Sequence, residues 1–173
     1  MRSILKAEKL NNKGFSLIEA IICMAIMAIL SVSAVSLSGH IKYANTKKCV
    51  KQLNQNLETA RMTSMSKAGT WQFYLYRKDG ELYYSLSAGG LDRDAGTKLG
   101  GKKIKLYYTK KGESETELTN MTTSVVQIQF SKSTGAFVAK DGANIYESLR
   151  VATDTYKGYT IELIEKTGKH ILQ

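Results

Sequence analysis

Proline is absent from this chain. No helix in it can be kinked by a pyrrolidine ring, and no turn can rest on a cis prolyl bond. The helix-weak stretch is Ser31, Ser33, Ser36, Ser38 and Gly39, so any softening of a long helix is expected there. Cysteine occurs twice, at Cys23 and Cys49. Helical rise over that interval is about 39 Å, far beyond disulfide reach, so the two are not expected to pair within one chain. Histidine also occurs twice, at His40 and His170. No Ser-His-Asp set can be drawn, because Glu165 is the nearest flanking carboxylate to His170, and no His/Cys group has metal-ligand spacing. These shortages argue against an enzyme, and no cofactor is expected. Acidic residues are also in deficit, 15 against 25 Lys and Arg, for a net charge of +10.

What is present begins at the N-terminus. An apolar run extends from Phe15 to Leu37 with Glu19 as its only charge. As a helix it would span roughly 35 Å, enough to cross a bilayer. A charged side chain at the centre of such a helix costs roughly 2.5–3.5 kcal/mol even on lenient insertion scales, so Glu19 needs a partner. Cleavage between Gly14 and Phe15 would create one, an α-amine on Phe15 about one helical turn before Glu19. The macrodipole also favours a carboxylate in the first turns of a helix.

Lys13-Gly14-Phe15-Ser16-Leu17-Ile18-Glu19, behind a short basic leader and ahead of a long apolar helix, resembles the prepilin signature of type IV pilins and pseudopilins. The resemblance implies that a prepilin peptidase cleaves after Gly14 on the cytoplasmic face and N-methylates Phe15. It implies that Glu19 neutralises the amino terminus of a neighbouring subunit as helices bundle into a filament. The implied location is the cell membrane, single-pass, with the head outside the cytoplasm, and then a pilus or pseudopilus. The implied partners are the peptidase, other pilin subunits and the membrane. Removing the leader would leave 21 of the 25 basic and 14 of the 15 acidic residues, a net of +7.

Two plainer readings compete. A secretory signal peptide has its parts here: Arg2, Lys6, Lys9 and Lys13, an apolar stretch, and Val32-Ser33-Ala34 as a small-residue cleavage site. Glu19 would interrupt its hydrophobic region, and the run is longer than such regions. A plain single-span anchor leaves Glu19 unexplained. Lys42, Lys47, Lys48 and Lys51 follow the run, so the basic flanks do not set an orientation.

The expected organisation is a leader over 1–14, a membrane and filament-core helix over 15–37, an amphipathic continuation over 38–68, and a head over 69–173. In the continuation, Val50, Leu53, Leu57 and Ala60 recur at spacings of three and four, extended by Ser64 and Ala68, with Gly69 as a stop. Beyond Thr70 the pattern has period two. Trp71, Phe73 and Leu75 alternate with Gln72, Tyr74 and Tyr76, and Lys78-Asp79-Gly80-Glu81 turns into a strand from Leu82 to Ser87. Further strands are expected at 103–109, 125–131, 136–140, 149–152, 158–165 and 170–172. The fold class is therefore α+β, a long N-terminal helix packed on an antiparallel β head of seven or eight strands. The order of its elements resembles the minor pseudopilins called GspH and their FimT relatives. The absence of the disulfide-closed loop of many major pilins leans the same way.

Two constellations in the head bear on ligands. Asp92-Arg93-Asp94 is expected in a Gly-rich loop from Ala88 to Gly101, but Arg93 and Lys98 oppose a calcium loop and further acidic ligands are lacking. No metal site is expected. Lys98, Lys102, Lys103, Lys105, Lys110 and Lys111 surround one strand with Tyr107 and Tyr108 between them, a pattern suited to phosphate contact and base stacking. Some competence pilins bind DNA through a C-terminal turn rich in Arg. The matching turn here, Gly168-Lys169-His170 with Lys166 before it, has no Arg. DNA binding, with Lys102, Lys103, Lys105, Lys110, Lys111, Lys166 and Lys169 as contacts, is thus the alternative to a purely structural subunit of a pilus or type II secretion-like pseudopilus.

Overall fold

The computed structural model describes residues 16–173, with side chains described outside 32–41. The leader, Gly14 and Phe15 lie outside the described residues. The chain divides into two units, one ending at Gly39 and the other running from His40 to Gln173. Helical backbone, α1 (Leu17–Ser66), contributes to both, with described side chains over 17–31 in the first and 42–66 in the second. The helix expected from the apolar run into the head is therefore described as two helical stretches, each by itself.

In the second unit the apolar seam of α1 is buried as its spacing predicts. Val50, Leu53, Leu57 and Ala60 are fully buried, Ser64 lies under cover, and Cys49 joins them. Burying a leucine of this kind contributes roughly 1.5–3 kcal/mol. The helix ends earlier than expected. Its last residue is Ser66, Gly69 turns away at φ +90°, and Ala68 is exposed rather than part of the seam. The Ala68 carbonyl instead accepts the indole N–H of Trp71 at 2.9 Å.

The head carries two antiparallel sheets. The first contains β1 (Gln72–Lys78), β2 (Glu81–Ser87), β3 (Thr97–Gly100) and β6 (Val125–Gln129), in the order β3-β2-β1-β6. The second contains β4 (Lys105–Lys110), β5 (Thr116–Glu117), β7 (Tyr146–Thr153), β8 (Tyr156–Ile164) and β9 (Lys169–Leu172), in the order β5-β4-β7-β8-β9. Phe73, Leu75, Leu82, Val126 and Ile128 of the first sheet and Leu106, Leu149, Val151 and Ile161 of the second form one core with the helix seam. The architecture is α+β with antiparallel sheets.

The β1–β2 hairpin forms as its turn residues require, with Asp79 at φ +54° and Gly80 at φ +78°, both left-handed. Five expectations need correction. Strand β1 does not alternate between core and solvent, because Tyr74 and Tyr76 on its second face are also buried. Loops cover that face: the Tyr76 hydroxyl donates to the Arg93 carbonyl at 3.0 Å, and Gln72 donates to the Asp141 carbonyl at 3.1 Å. Lys103 is not in a strand but in the turn closed by Ile104 N–H on the Gly101 carbonyl at 2.9 Å. No strand spans 136–140. Phe137 makes a single bridge to Phe130, flanked by the Ser131 N–H on the Ala136 carbonyl at 2.7 Å and the Val138 N–H on the Gln129 carbonyl at 3.0 Å. Its own N–H points the other way, to the Glu165 carbonyl at 3.0 Å, so this short return is held between the two sheets and does not extend to 140. The Gly-rich stretch after Ala88 is not all loop, since β3 forms at its end and shields one edge of β2. Strand β7 begins three residues earlier than expected, at Tyr146.

Candidate assembly site and basic face

The first described residues form a closed hydrogen-bonded start to α1. The Glu19 carboxylate accepts the Ser16 N–H at 2.9 Å and the Ser16 hydroxyl at 3.0 Å, while Ser16 Oγ accepts the Glu19 N–H at 3.3 Å. This is a capping box with Ser16 at the N-cap and Glu19 three residues on. It satisfies N–H groups that the first turn leaves without intrahelical partners. Ser16 was not singled out from the sequence, although the Ser-x-x-Glu spacing was there to be read. Glu19 is thus held at the helix start, on the side of the expected cleavage point.

Past the cap, the side chains of 16–31 are exposed except for half-covered Ala20. Leu17 is 81 % exposed, and Ile18, Ile21, Met24 and Met27 stand out with it. An apolar surface on every side of a helix requires lipid or other helices to cover it. Among the described residues, no helix is long and apolar enough to cross a membrane. Within the expected span, side chains are described from 16 to 31, fewer than the roughly 20 residues that a span needs.

Residues 9–35 match the family model described as Prokaryotic N-terminal methylation motif. The chain has a type IV pilin-like N-terminus. The match supports the type IV pilin and pseudopilin family, whose members carrying this motif are structural subunits rather than enzymes. It implies processing by a prepilin peptidase and assembly with other pilins. No curated protein matches the chain, and no solved structure does. The pilin-like reading therefore rests on the N-terminal segment, and the head is described on its own chemistry.

In the head the candidate lysines of β4 are spread along the strand. Register sets Lys105 opposite Ala152 at one end of β4 and Lys110 opposite Tyr146 at the other, roughly 17 Å along the strand. Lys105 pairs with Asp154 at 2.8 Å and reaches Glu117 at 3.9 Å. Lys110 lies 3.7 Å from Glu113, and Lys111 pairs with Glu165 at 2.5 Å. The Asp154 hydrogen bond raises the Lys105 pKa, and the Glu165 hydrogen bond does the same at Lys111. Lys102, Lys103, Lys166 and Lys169 have no ion pair among the described residues. Lys98, beside the cluster, pairs with Glu81 at 2.6 Å.

The intervening aromatics are occupied as well. The Arg150 guanidinium lies 4.2 Å over the Tyr107 ring and forks onto Glu115 at 2.8 and 2.5 Å. Tyr108 stands edge-on to Tyr146 at 5.7 Å. Rings covered in this way are not free to stack on bases. In the C-terminal turn, the His170 ring is nearly enclosed, 3.1 Å from the Asn54 carbonyl and 3.7 Å from Glu58, and ties β9 to the helix.

The Asp92–Asp94 loop is closed by protein groups. Asp92 Oδ1 accepts the Asp94 and Ala95 N–H groups at 2.8 and 3.3 Å, and Asp94 pairs with Lys78 at 2.5 Å. Arg93 crosses the Tyr76 ring and donates to the carbonyls of Arg77 and Thr122 at 3.1 and 2.5 Å. Among the described residues, no three His, Cys, Asp or Glu side chains are placed to hold a metal ion. Cys23 and Cys49 are both free.

One functional-looking group missed in the sequence has a structural task. Arg77 is only 7 % exposed and donates to the carbonyls of Leu118 at 2.9 Å, Gly80 at 2.5 Å and Ile104. It links the first sheet to the segments that lead into β4 and follow β5. Burial lowers its pKa from the ordinary arginine value, with Glu117 and Tyr107 opposing that shift. Nothing in a one-dimensional pattern marks an arginine on a half-polar strand as buried.

Proposed function

We propose that the chain is a minor subunit of a type IV pilus or a type II secretion-like pseudopilus. It is cleaved after Gly14 and N-methylated on Phe15, and its apolar run enters the filament core. Glu19 meets the amino terminus of a neighbouring subunit there, where an unpaired charge is costly. The observation that carries this reading is the methylation-motif match over residues 9–35, with Glu19 the lone charge in the run. A minor role in the manner of GspH and FimT is supported by the helix-and-antiparallel-sheet head and by the two free cysteines.

The test is the mature N-terminus, measured by mass spectrometry on protein isolated from its host's membranes. A peptide beginning at N-methyl-Phe15 is expected. A start near Val35 would make the chain a conventional secreted protein, and an intact leader would make it a simple anchor. The DNA-binding reading loses weight because Lys105, Lys110 and Lys111 face carboxylates and Tyr107 lies under Arg150.

A further inference from the structure

Tyr43, near the start of the head's share of α1, meets Tyr156 and Tyr159 of β8 in a three-ring cluster. Ring centroids are 5.4 Å apart for Tyr43–Tyr156, 6.1 Å for Tyr43–Tyr159 and 5.9 Å for Tyr156–Tyr159, each pair tilted or edge-to-face. Tyr43 is 42 % exposed, and its two partners are half-buried. Of the three, Tyr159 packs against the core. The cluster therefore presents aromatic bodies with hydroxyl tips at the surface, the amphipathic chemistry enriched where hydrocarbon meets water.

Positive charge outnumbers negative around the rings. The Lys47 ammonium stands 5.7 Å from the centre of the Tyr43 ring. Lys51 follows one turn on, and Lys157 lies between the two β8 tyrosines. All three are exposed, and none has an ion pair among the described residues. The sequence holds no Asp or Glu between Glu19 and Glu58. The carboxylate of the neighbouring β7–β8 turn, Asp154, is turned to Lys105 at 2.8 Å. Lysines close to an anionic membrane surface are drawn to it. Tyr43 also follows Leu37, the end of the apolar run, by six positions, at most about 22 Å of chain even when fully extended.

We propose that this tyrosine–lysine patch is a docking surface for anionic phospholipid headgroups, holding the head against the membrane before a filament takes the subunit up. The inference rests on the reading that the apolar run is membrane-embedded. Complementary charge selects the lipid, and the rings supply the interfacial contact.

The experiment uses the full chain in vesicles of phosphatidylcholine, with or without phosphatidylglycerol, footprinted by hydroxyl radicals and read by mass spectrometry. Tyr43, Tyr156 and Tyr159 are expected to be protected several-fold in the anionic vesicles alone, with Trp71 unchanged. Lys47→Gln, Lys51→Gln and Lys157→Gln together, all at exposed positions, should restore modification. Equal modification in both vesicles overturns the proposal. So does protection that disappears on dilution to one chain per vesicle, which would mark a contact between copies. Protection by soluble poly(glycerol phosphate) in place of the vesicles also overturns it, in favour of a wall polymer. Alkaline extraction of the same vesicles tests the anchor separately. An embedded chain with freely modified tyrosines keeps the anchor and drops the patch. A chain that washes out but had protected tyrosines drops the anchor and leaves the patch as a peripheral lipid surface.

Discussion

Ser16 and Glu19 cap each other: the Glu19 carboxylate accepts the Ser16 N–H at 2.9 Å, and the Ser16 hydroxyl accepts the Glu19 N–H at 3.3 Å. The carboxylate proposed for assembly is thus also the group that closes the start of its own helix. The two roles separate on mutation. Ser16→Ala removes half of the cap, worth about 1 kcal/mol in helix N-cap series, and leaves the Glu19 charge in place. Filament incorporation measured in the host is expected to fall modestly for Ser16→Ala and to be lost for Glu19→Ala. Leader cleavage should continue in both. Equal incorporation of Glu19→Ala and wild type would remove Glu19 from the assembly step.

Cys49 is expected to be inert to thiol reagents at pH 8 in the folded chain and to react once the chain is denatured. Its side chain sits among the core residues of the helix seam, and burial pushes the thiol pKa up to about 12, with Arg77 opposing part of that shift. The folded state therefore keeps its thiol proton to higher pH than the unfolded state, whose ordinary value is 9.0. Stability from this group is complete below pH 9 and declines as pH rises towards 12. Denaturant midpoints of wild type and Cys49→Ala across that window should converge, with wild type losing up to about 4 kcal/mol more. Parallel pH profiles would contradict the burial.

The basic residues lead to an expectation for nucleic acid. Of the candidate DNA contacts, Lys102 and Lys103 near one end of β4, or Lys166 and Lys169 beyond the other, offer two unpaired ammonium groups at a time. Counterion release then gives a log–log salt slope of about −2, and binding to duplex DNA should vanish near physiological salt. Gel shifts over a salt series check this. A slope several times steeper would show that the ion pairs of Lys105, Lys110 and Lys111 open towards phosphate, and would revive the DNA-uptake reading.

Arg77→Met is expected to destabilise the head by about 3 kcal/mol or more, because carbonyls of Leu118, Gly80 and Ile104 lose their donor under cover. Arg77→Lys should recover only part of that loss, since an ammonium cannot reproduce the planar fork. Denaturant unfolding of the three chains decides it. A neutral Arg77→Met would mean that water reaches those carbonyls.

Much of the fold was legible because it is local. The seam of Val50, Leu53, Leu57 and Ala60 lies within one helix, and the Asp79-Gly80 turn sets its own hairpin, so periodicity and turn chemistry suffice. The strand expected at 136–140 failed for the opposite reason. Its alternation fits a hairpin return, yet the return pairs with β6 only from Ala136 to Val138, and the Phe137 N–H goes to Glu165, a partner far along the chain. Strand β3 was hidden in a glycine-rich stretch because pairing with β2, rather than its own propensity, makes it a strand.

By itself the sequence determined the apolar run with its lone carboxylate, the methylation motif around it and the helix-plus-antiparallel class, since each depends on the order of neighbouring residues. Only the tertiary structure decided which charges are spent on one another. It turned three of the candidate lysines to carboxylates, covered Tyr107 with Arg150, buried Arg77 and brought Tyr43 to Tyr156 and Tyr159. Those relationships join residues distant along the chain, and their geometry is set by register and by the packing of helix on sheet.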